Sequence, residues 1–451
     1  MVNENEGHKK TRWKPKLYYA FIALALVVVA LFVLFRVRLK SEIQKKHDAI
    51  RAAGYPVTLA ELDAWYSIPP NAENAAYYYA DAFSYFKQWS GERADALPII
   101  GKAELPGRTE PLTEETRTLF AQYLAENRRA LELLHKAAAI EHCRYPVDYG
   151  MGFGTLYPHL AEVRKGTQFL ALEAVLCAEN GQPESAISSI SASFALARSV
   201  SREPMLIPQL VRMACQSLAA SSLERVLNRN ELTDEQLLSL SRTVSQAEDL
   251  SAMSGAFVGE RCCGIAVFEA PAHQKLQIVG DLPALPLLGL YEAAGLADAD
   301  QSLYLDMMDE YMKASLLPLH QRQEAVEAGV ERIENLPKIR FLLRMFRPAF
   351  ARITELDLRS IAHLRTAQVA VAVERYRLAA GRLPDRLADL VPGYLETVPT
   401  DPFDGKDLRY KKLEVGFVVY SIGEDKIDNG GKEPPPKGKR EDCDVTFIIE
   451  R

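Results

Sequence analysis

Metal-binding and redox spacings are missing from this chain. Its six cysteines, Cys143, Cys177, Cys215, Cys262, Cys263 and Cys443, include no C-x-x-C pair, so neither a zinc site nor a dithiol couple is written here. Cys177 and Cys215 fall in apolar helical runs and read as buried small hydrophobes. No histidine pair has the H-E-x-x-H spacing and no serine sits in a G-x-S-x-G elbow, which removes two common hydrolase signatures. An excess of one charge is missing too. With 54 basic and 60 acidic residues, a net charge of -6 and no basic stripe, nucleic acid is an unsuitable partner. Long apolar runs are scarce, with one exception.

That exception is Leu17 to Phe35, LYYAFIALALVVVALFVLF, nineteen residues without a charge. As a helix it spans about 28 Å, the thickness of a bilayer core. A cleavable signal would end in small residues, whereas this run leads into Arg36-Val37-Arg38-Leu39-Lys40. A buried core helix would carry a polar stripe, and this one has none. A single transmembrane helix is expected, with Trp13, Tyr18 and Tyr19 at one interface. Lys9, Lys10, Arg12, Lys14 and Lys16 precede it, and Arg36, Arg38, Lys40, Lys45, Lys46 and Arg51 follow. A short basic tail, residues 1–16, ahead of an uncleaved anchor points the bulk of the chain to the exoplasmic side.

Behind the span, 48% hydrophobic and 25% charged residues describe folded protein rather than disorder. The periodicity predicts a mainly α chain in which a connecting helical region, 36–110, leads to an α-helical bundle or short solenoid-like body, 111–349. A C-terminal α+β module, 350–451, places a long helix on a small antiparallel sheet. Lys40 to Ala53 continues the membrane helix until Gly54 and Pro56 stop it. Thr58-Leu59-Ala60-Glu61 reads as a capping box, and Asn71 to Phe86 as a tyrosine-rich helix. Thr113-Glu114-Glu115 opens a helix running through Ala139. Leu156 to Glu179 and Glu184 to Val200, parted by Asn180-Gly181-Gln182-Pro183, form a helical hairpin. The element Ala174 to Ala197 resembles one tetratricopeptide-like unit, but no 34-residue period follows. Helices are also expected over Met205 to Arg229 and Thr233 to Ala252, and an apolar Pro-Gly loop over 280–289.

Three patterns invite chemistry. Tyr77, Tyr78, Tyr79, Tyr85 and Phe86 make either a stacking wall or ordinary packing, the commoner fate of such rings. Tyr149-Gly150-Met151-Gly152-Phe153-Gly154-Thr155 precedes a helix as a phosphate-cradling loop would, yet lacks the strand and the lysine of such loops, so a hinge or tight inter-helix turn is expected. His142 beside Cys143, and His159 with Glu162 three residues on, are the candidate acid-base groups, with Asp148 nearby in the chain, but no facing carboxylate partner accompanies them and ordinary solvent-facing or hydrogen-bonded histidines are expected.

The last hundred residues are more specific. Leu356 to Ala380 is a long helix closed by Gly381 and Pro384. Leu408 to Leu413, Phe417 to Ser421 and Val445 to Ile449 alternate as strands, the first two joined by Glu414-Val415-Gly416. Glu424, Asp425, Asp428 and Asn429, closing against Asp442 and Asp444, crowd oxygen donors into one acidic loop of the kind calcium selects, without EF-hand spacing.

Tyr376, Gly381, Leu383, Pro384, Leu390, Tyr394, Pro399, Asp401-Pro402-Phe403, Gly405, Tyr410, Tyr420-Ser421-x-Gly423-x-Asp425, Gly430-Gly431 and Asp444-Val445 follow one another in an order that resembles the globular domain of the major pseudopilin of type II secretion systems. The resemblance covers about a quarter of the chain, a normal domain size. It implies a calcium ion in the loop before the last strand, with Asp425 and Asp444 as matched ligands and Asp428 and Asn429 as further donors. The family's Gly-Phe-Thr-Leu-x-Glu processing site is replaced by Lys14-Pro15-Lys16-Leu17, and Lys432 to Arg440 lengthens the loop with basic residues. The complete arrangement, with VTLAELDAWY, NAENAA and RYRLAAGRLPDRLADLVP, resembles membrane-anchored proteins of planctomycetes and verrucomicrobia. That implies a bacterial envelope location and no established activity; with the orientation read from the basic tail, an inner-membrane anchor and a periplasmic body are expected.

Two functional expectations follow. The first is a non-catalytic, membrane-anchored envelope protein acting as an interaction or assembly module among other envelope proteins, with calcium in the C-terminal loop. The second is a membrane-tethered, hydrolase-like enzyme whose site lies in a groove of the helical body, using His142, His159, Glu162 or Asp148. The absence of a paired nucleophile and base favours the first.

Overall fold

The computed structural model describes residues 15–271, 275, 285–337, 339–345, 350–435 and 442–451. Among them are sixteen α-helices, 65% of the chain being helical, and one three-stranded antiparallel sheet. The expected interface residue Trp13, and residues 280–284 of the expected Pro-Gly loop, lie outside the described residues.

The first helix, α1 (Pro15–Ala52), runs unbroken for 38 residues, about 57 Å at 1.5 Å per residue. Residues 18–35 are exposed all round, and Leu39 is the first side chain to turn inward. From there Leu39, Ile43 and Ile50 pack against Val57, Ile265 and Leu305. Gly54, at φ 83°, ends the path. It is the one helix here long and apolar enough to cross a membrane among the described residues.

The connecting region folds into α2 (Leu59–Trp65), α3 (Ala75–Ser84) and α4 (Gly91–Asp95). The capping box at Thr58 and Glu61 forms in both directions. Helix α3 starts later than Asn71 because Asn74 is its N-cap, accepting from Ala76 N at 3.1 Å. The run expected from Thr113 to Ala139 is two helices, α5 (Glu114–Glu126) and α6 (Arg128–Ala138). Asn127 breaks it: fully buried, its amide bonds Lys87 N, Lys87 O and Tyr123 O, and so holds a non-helical backbone between them.

Helices α7 (Pro158–Glu179) and α8 (Pro183–Arg198) form the expected hairpin. Gly181, at φ 68°, closes α7 with Gln182 N on Cys177 O and Gly181 N on Ala178 O, a Schellman turn. Helix α9 (Leu206–Arg229) packs on both, and α10 (Asp234–Ala247) on α8. The run expected to Ala252 stops at Ala247, and Ala252 instead begins α11 (Ala252–Glu269). Part of the expected Pro-Gly loop is helical as α12 (Leu285–Ala293), since Pro286 falls in a first turn that needs no N–H. Helices α13 (Leu296–Ser315), α14 (Leu319–Glu334) and α15 (Phe341–Met345) complete the helical body.

Helix α16 (Phe350–Ala380) then crosses the sheet of β1 (Arg409–Lys412), β2 (Phe417–Ser421) and β3 (Val445–Ile449), ordered β1-β2-β3. The register pairs Tyr410 with Val419 and Val419 with Phe447. At the β1-β2 turn Gly416 has φ 79°, and a Cβ there would meet Ile449 O at 1.8 Å, so glycine is required.

One core joins module to body. Ile190, Phe194, Leu223, Val226, Leu237 and Leu240 from α8, α9 and α10 pack with Leu364, Val371, Leu390, Phe417, Phe447 and Ile449. A buried polar network reinforces the seam: Arg212 donates to Asp357 at 2.9 Å and to Gln209 and Gln216, and Ser360 donates to Gln216. Asn228 of α9 bonds Ile448 O and Glu450 N at 2.8 and 2.7 Å, covering the open edge of β3 as another strand would.

Candidate functional site

Asn74 places the first wall. Besides capping α3, its amide accepts from Arg144 N and donates to Arg144 O, both at 2.9 Å, and Ala75 N donates to His142 O. The extended segment 142–145 is thereby clamped, and it delivers Cys143 and Tyr145 inward. The second wall is the start of α7, where Pro158 occupies the first helical position and His159 follows. The third is the turn between α8 and α9. Gln209 Nε2 donates to the carbonyls of Val200, Ser201 and Glu203, and so fixes the backbone that carries the Glu203 carboxylate.

These walls bring His159 Nε2 to 2.6 Å from Glu203 Oε1, with side chains 9% and 0% exposed. The Tyr145 ring stacks on the imidazole at 4.1 Å and 17°, and Tyr157 meets it edge-on. The Tyr145 hydroxyl lies 3.0 Å from Ser199 Oγ, which itself donates to Leu196 O. Tyr149 packs between Tyr66 and Tyr157. Glu203 Oε2 and the hydroxyls of Tyr66 and Tyr149 are buried with no hydrogen-bond partner among the described residues.

Burial governs the charge states. It raises the Glu203 carboxyl above the usual range, against the stabilising bond from His159. It pushes the Cys143 thiol up to about 12, and raises the phenols of Tyr66, Tyr145 and Tyr149. The cluster therefore holds a neutral thiol and neutral phenols beside the hydrogen-bonded His159–Glu203 pair. The Cys143 thiol is thus not activated as a thiolate. On α11, burial pushes Glu260 up to about 7, its carboxylate accepting from Leu206 N at 3.2 Å.

Two clefts border the cluster, reaching its Cys143, Ser199 and Tyr66 and lined by neither His159 nor Glu203. One, of about 760 Å³, is lined by Tyr79, His142, Cys143, Arg198 and Ser199, and the other, of about 370 Å³, by Tyr55, Trp65 and Tyr66. They share Ser201, Arg202, Asp249 and Ser251.

Of the candidate acid-base groups, His159 lies in the cluster and His142 lines a cleft. Glu162 does not pair with His159 but with Lys165 at 2.8 Å, and Asp148 caps the following turn through Gly150 N at 2.9 Å. Glu203, the carboxylate that matters, was not marked by the sequence: it stands 44 residues from His159 with no motif around it. The Tyr149–Gly154 segment is a 3-10 turn with Gly152 at φ 55°, an inter-helix turn as expected. In the tyrosine run, Tyr79 is buried and Phe86 packs edge-on against Phe169, while Tyr77 and Tyr85 face solvent.

The four residues assigned to calcium share one loop. Asp425 accepts from Ile427 N and the Asn429 amide, Asp428 from Gly430 N, and Asp444 from Asn429 N, Gly431 N and Lys432 N. Asp425 and Asp444 accept at both carboxylate oxygens and Asp428 at one, and among the described residues no three acidic, histidine or cysteine side chains form a metal-holding group. Calcium here rests on the resemblance. Asp401 has a firmer role: fully buried, it accepts from Phe403 N, Ser421 Oγ, Ile422 N and Arg409, tying the Asp-Pro-Phe turn to β1 and β2.

Comparison with models of known families, with curated proteins and with solved structures finds no match.

Proposed function

We propose that this chain is a non-catalytic, membrane-anchored envelope protein whose helical body and α+β module act as a single interaction or assembly unit held on the bilayer. The observation that carries this reading is α1, which passes without a break from an exposed apolar length into the body. A continuous helix transmits the orientation of the anchor to everything packed on it. The resemblance of 350–451 to a pseudopilin head supports the assembly part, with the inner membrane as address. Alkaline carbonate extraction of membranes carrying the full chain should leave it in the pellet. Release to the supernatant, or a mature N-terminus beyond residue 35, sinks the anchor. Cross-linking in cells followed by detergent purification should recover envelope proteins, and recovering none counts against assembly.

A hydrolase-like reading draws on the His159–Glu203 pair, in a cluster that two clefts border at Cys143, Ser199 and Tyr66. Turnover of an ester, peptide or glycoside by the wild type, lost in both His159→Ala and Glu203→Gln, would put it in place of the first.

A further inference from the structure

We infer that α12 is a second membrane-contacting element, lying in the lipid interface beside the foot of α1. The inference rests on the anchor reading above and extends it from a single span to a surface. Arg36 is the first charged residue after the exposed apolar length of α1. Its guanidinium donates to Glu292 O at 2.6 Å and Ala293 O at 3.2 Å, the last carbonyls of α12, and pairs with Asp298 at 2.9 Å. Gly295 is packed so closely on the Arg36 side chain that a Cβ there would come within 2.7 Å. The C-terminal end of α12 is therefore held where the span leaves the hydrocarbon.

What α12 shows at that level is apolar. Leu288 and Tyr291 face inward, the Tyr291 hydroxyl donating to Asp300, while Gly289, Leu290 and Ala293 face outward, Leu290 being 67% exposed. The only charge in LPLLGLYEA is Glu292, which is turned to Lys275 at 2.7 Å. An apolar face held at the foot of a membrane span, near the exposed Arg38 and Lys40, fits lipid: its acyl boundary takes the leucine and its headgroups the cations. Helix α13 then leads away from this level alongside α1. Asp298 pairs with Arg36 and Asp306 with Lys46, and Leu316 lines the same cleft as Ala53. Leu316 is 69% exposed and about 27 Å farther along the helix than Asp298, an equally apolar position that lipid does not reach.

The test places the photo-cross-linker p-benzoylphenylalanine at Leu26, Leu290 or Leu316 of the full chain, reconstituted in phosphatidylethanolamine and phosphatidylglycerol vesicles. Lipid adducts are expected at Leu26 and Leu290, with adducts at Leu316 at least tenfold fewer. Adducts at Leu26 but none at Leu290, or a protein-protein adduct at Leu290 in place of lipid, overturns the inference and leaves the anchor intact. Equal adducts at Leu290 and Leu316 also overturn it. No adduct at Leu26 overturns the anchor itself.

Discussion

His159 and Glu203 stand 2.6 Å apart because two helix starts and one glutamine-held turn converge on them. Replacing His159 by leucine strands a fully buried carboxylate, and the expected cost is about 3–5 kcal/mol in urea unfolding. Glu203→Gln keeps a hydrogen-bonding partner for the imidazole and should cost less than half of that. Equal losses would mean that the pair adds nothing to the packing around it. Glu260 makes the opposite kind of statement. Burial raises its folded pKa to about 7, above the unfolded carboxylate value, so the folded state binds the extra proton between those limits. Its contribution is complete at low pH and is lost as pH rises from about 4.5 to 7. Glu260→Gln, which still accepts from Leu206 N, should raise stability at pH 8 by on the order of 2 kcal/mol and leave it unchanged at pH 4.5. Thermal melts at the two pH values check the sign.

Among the elements, α11 is seated by glycine. A Cβ on Gly259 would lie 1.5 Å from Pro204 O, a backbone atom beside the turn that carries Glu203. Gly259→Ala should therefore destabilise by about 3 kcal/mol or more, the upper end for overpacking. It should also shift His159 resonances in NMR spectra, because the turn must move. The loop before β3 is closed by its own donors, three of them on Asp444. The melting temperature is accordingly expected to be the same in EDTA as in millimolar calcium. A calcium-dependent rise that disappears in Asp425→Asn and Asp444→Asn would establish the ion. Elements were the most legible level of the sequence. Thr58, Thr113, Thr233, Gly181 and Gly416 announce their helix starts, helix end and hairpin turn through local hydrogen bonds and backbone freedom. The break at Asn127 was not legible, since a mid-helix asparagine looks helical until Lys87, 40 residues away, offers it a better set of bonds.

For the molecule as a whole, the shared core decides how its parts behave. Phe417, Phe447 and Ile449 of the sheet pack with Leu223 and Val226 of the body, and Arg212 reaches Asp357 across the seam. Residues 350–451 produced alone would expose that face, so they are expected to aggregate or to lack protected amides in hydrogen exchange. The full chain should show module and body exchanging with one stability. A soluble fragment with native protection would show that the module is independent.

What Leu17 to Phe35, the helical hairpin and the sheet strands become is set by information lying within a few turns of chain: hydrophobic period, caps and glycine. The sequence by itself therefore determined the anchor-length helix, the mainly α class and the small antiparallel sheet. The pairing of His159 with Glu203, the fusion of module to body and the seating of α12 on Arg36 of α1 were decided only by tertiary structure. Each depends on residues far apart in sequence meeting, the first two in a dry interior, where burial sets the charge of the carboxylates and hydrogen bonds must be completed by whichever residue the fold brings within reach.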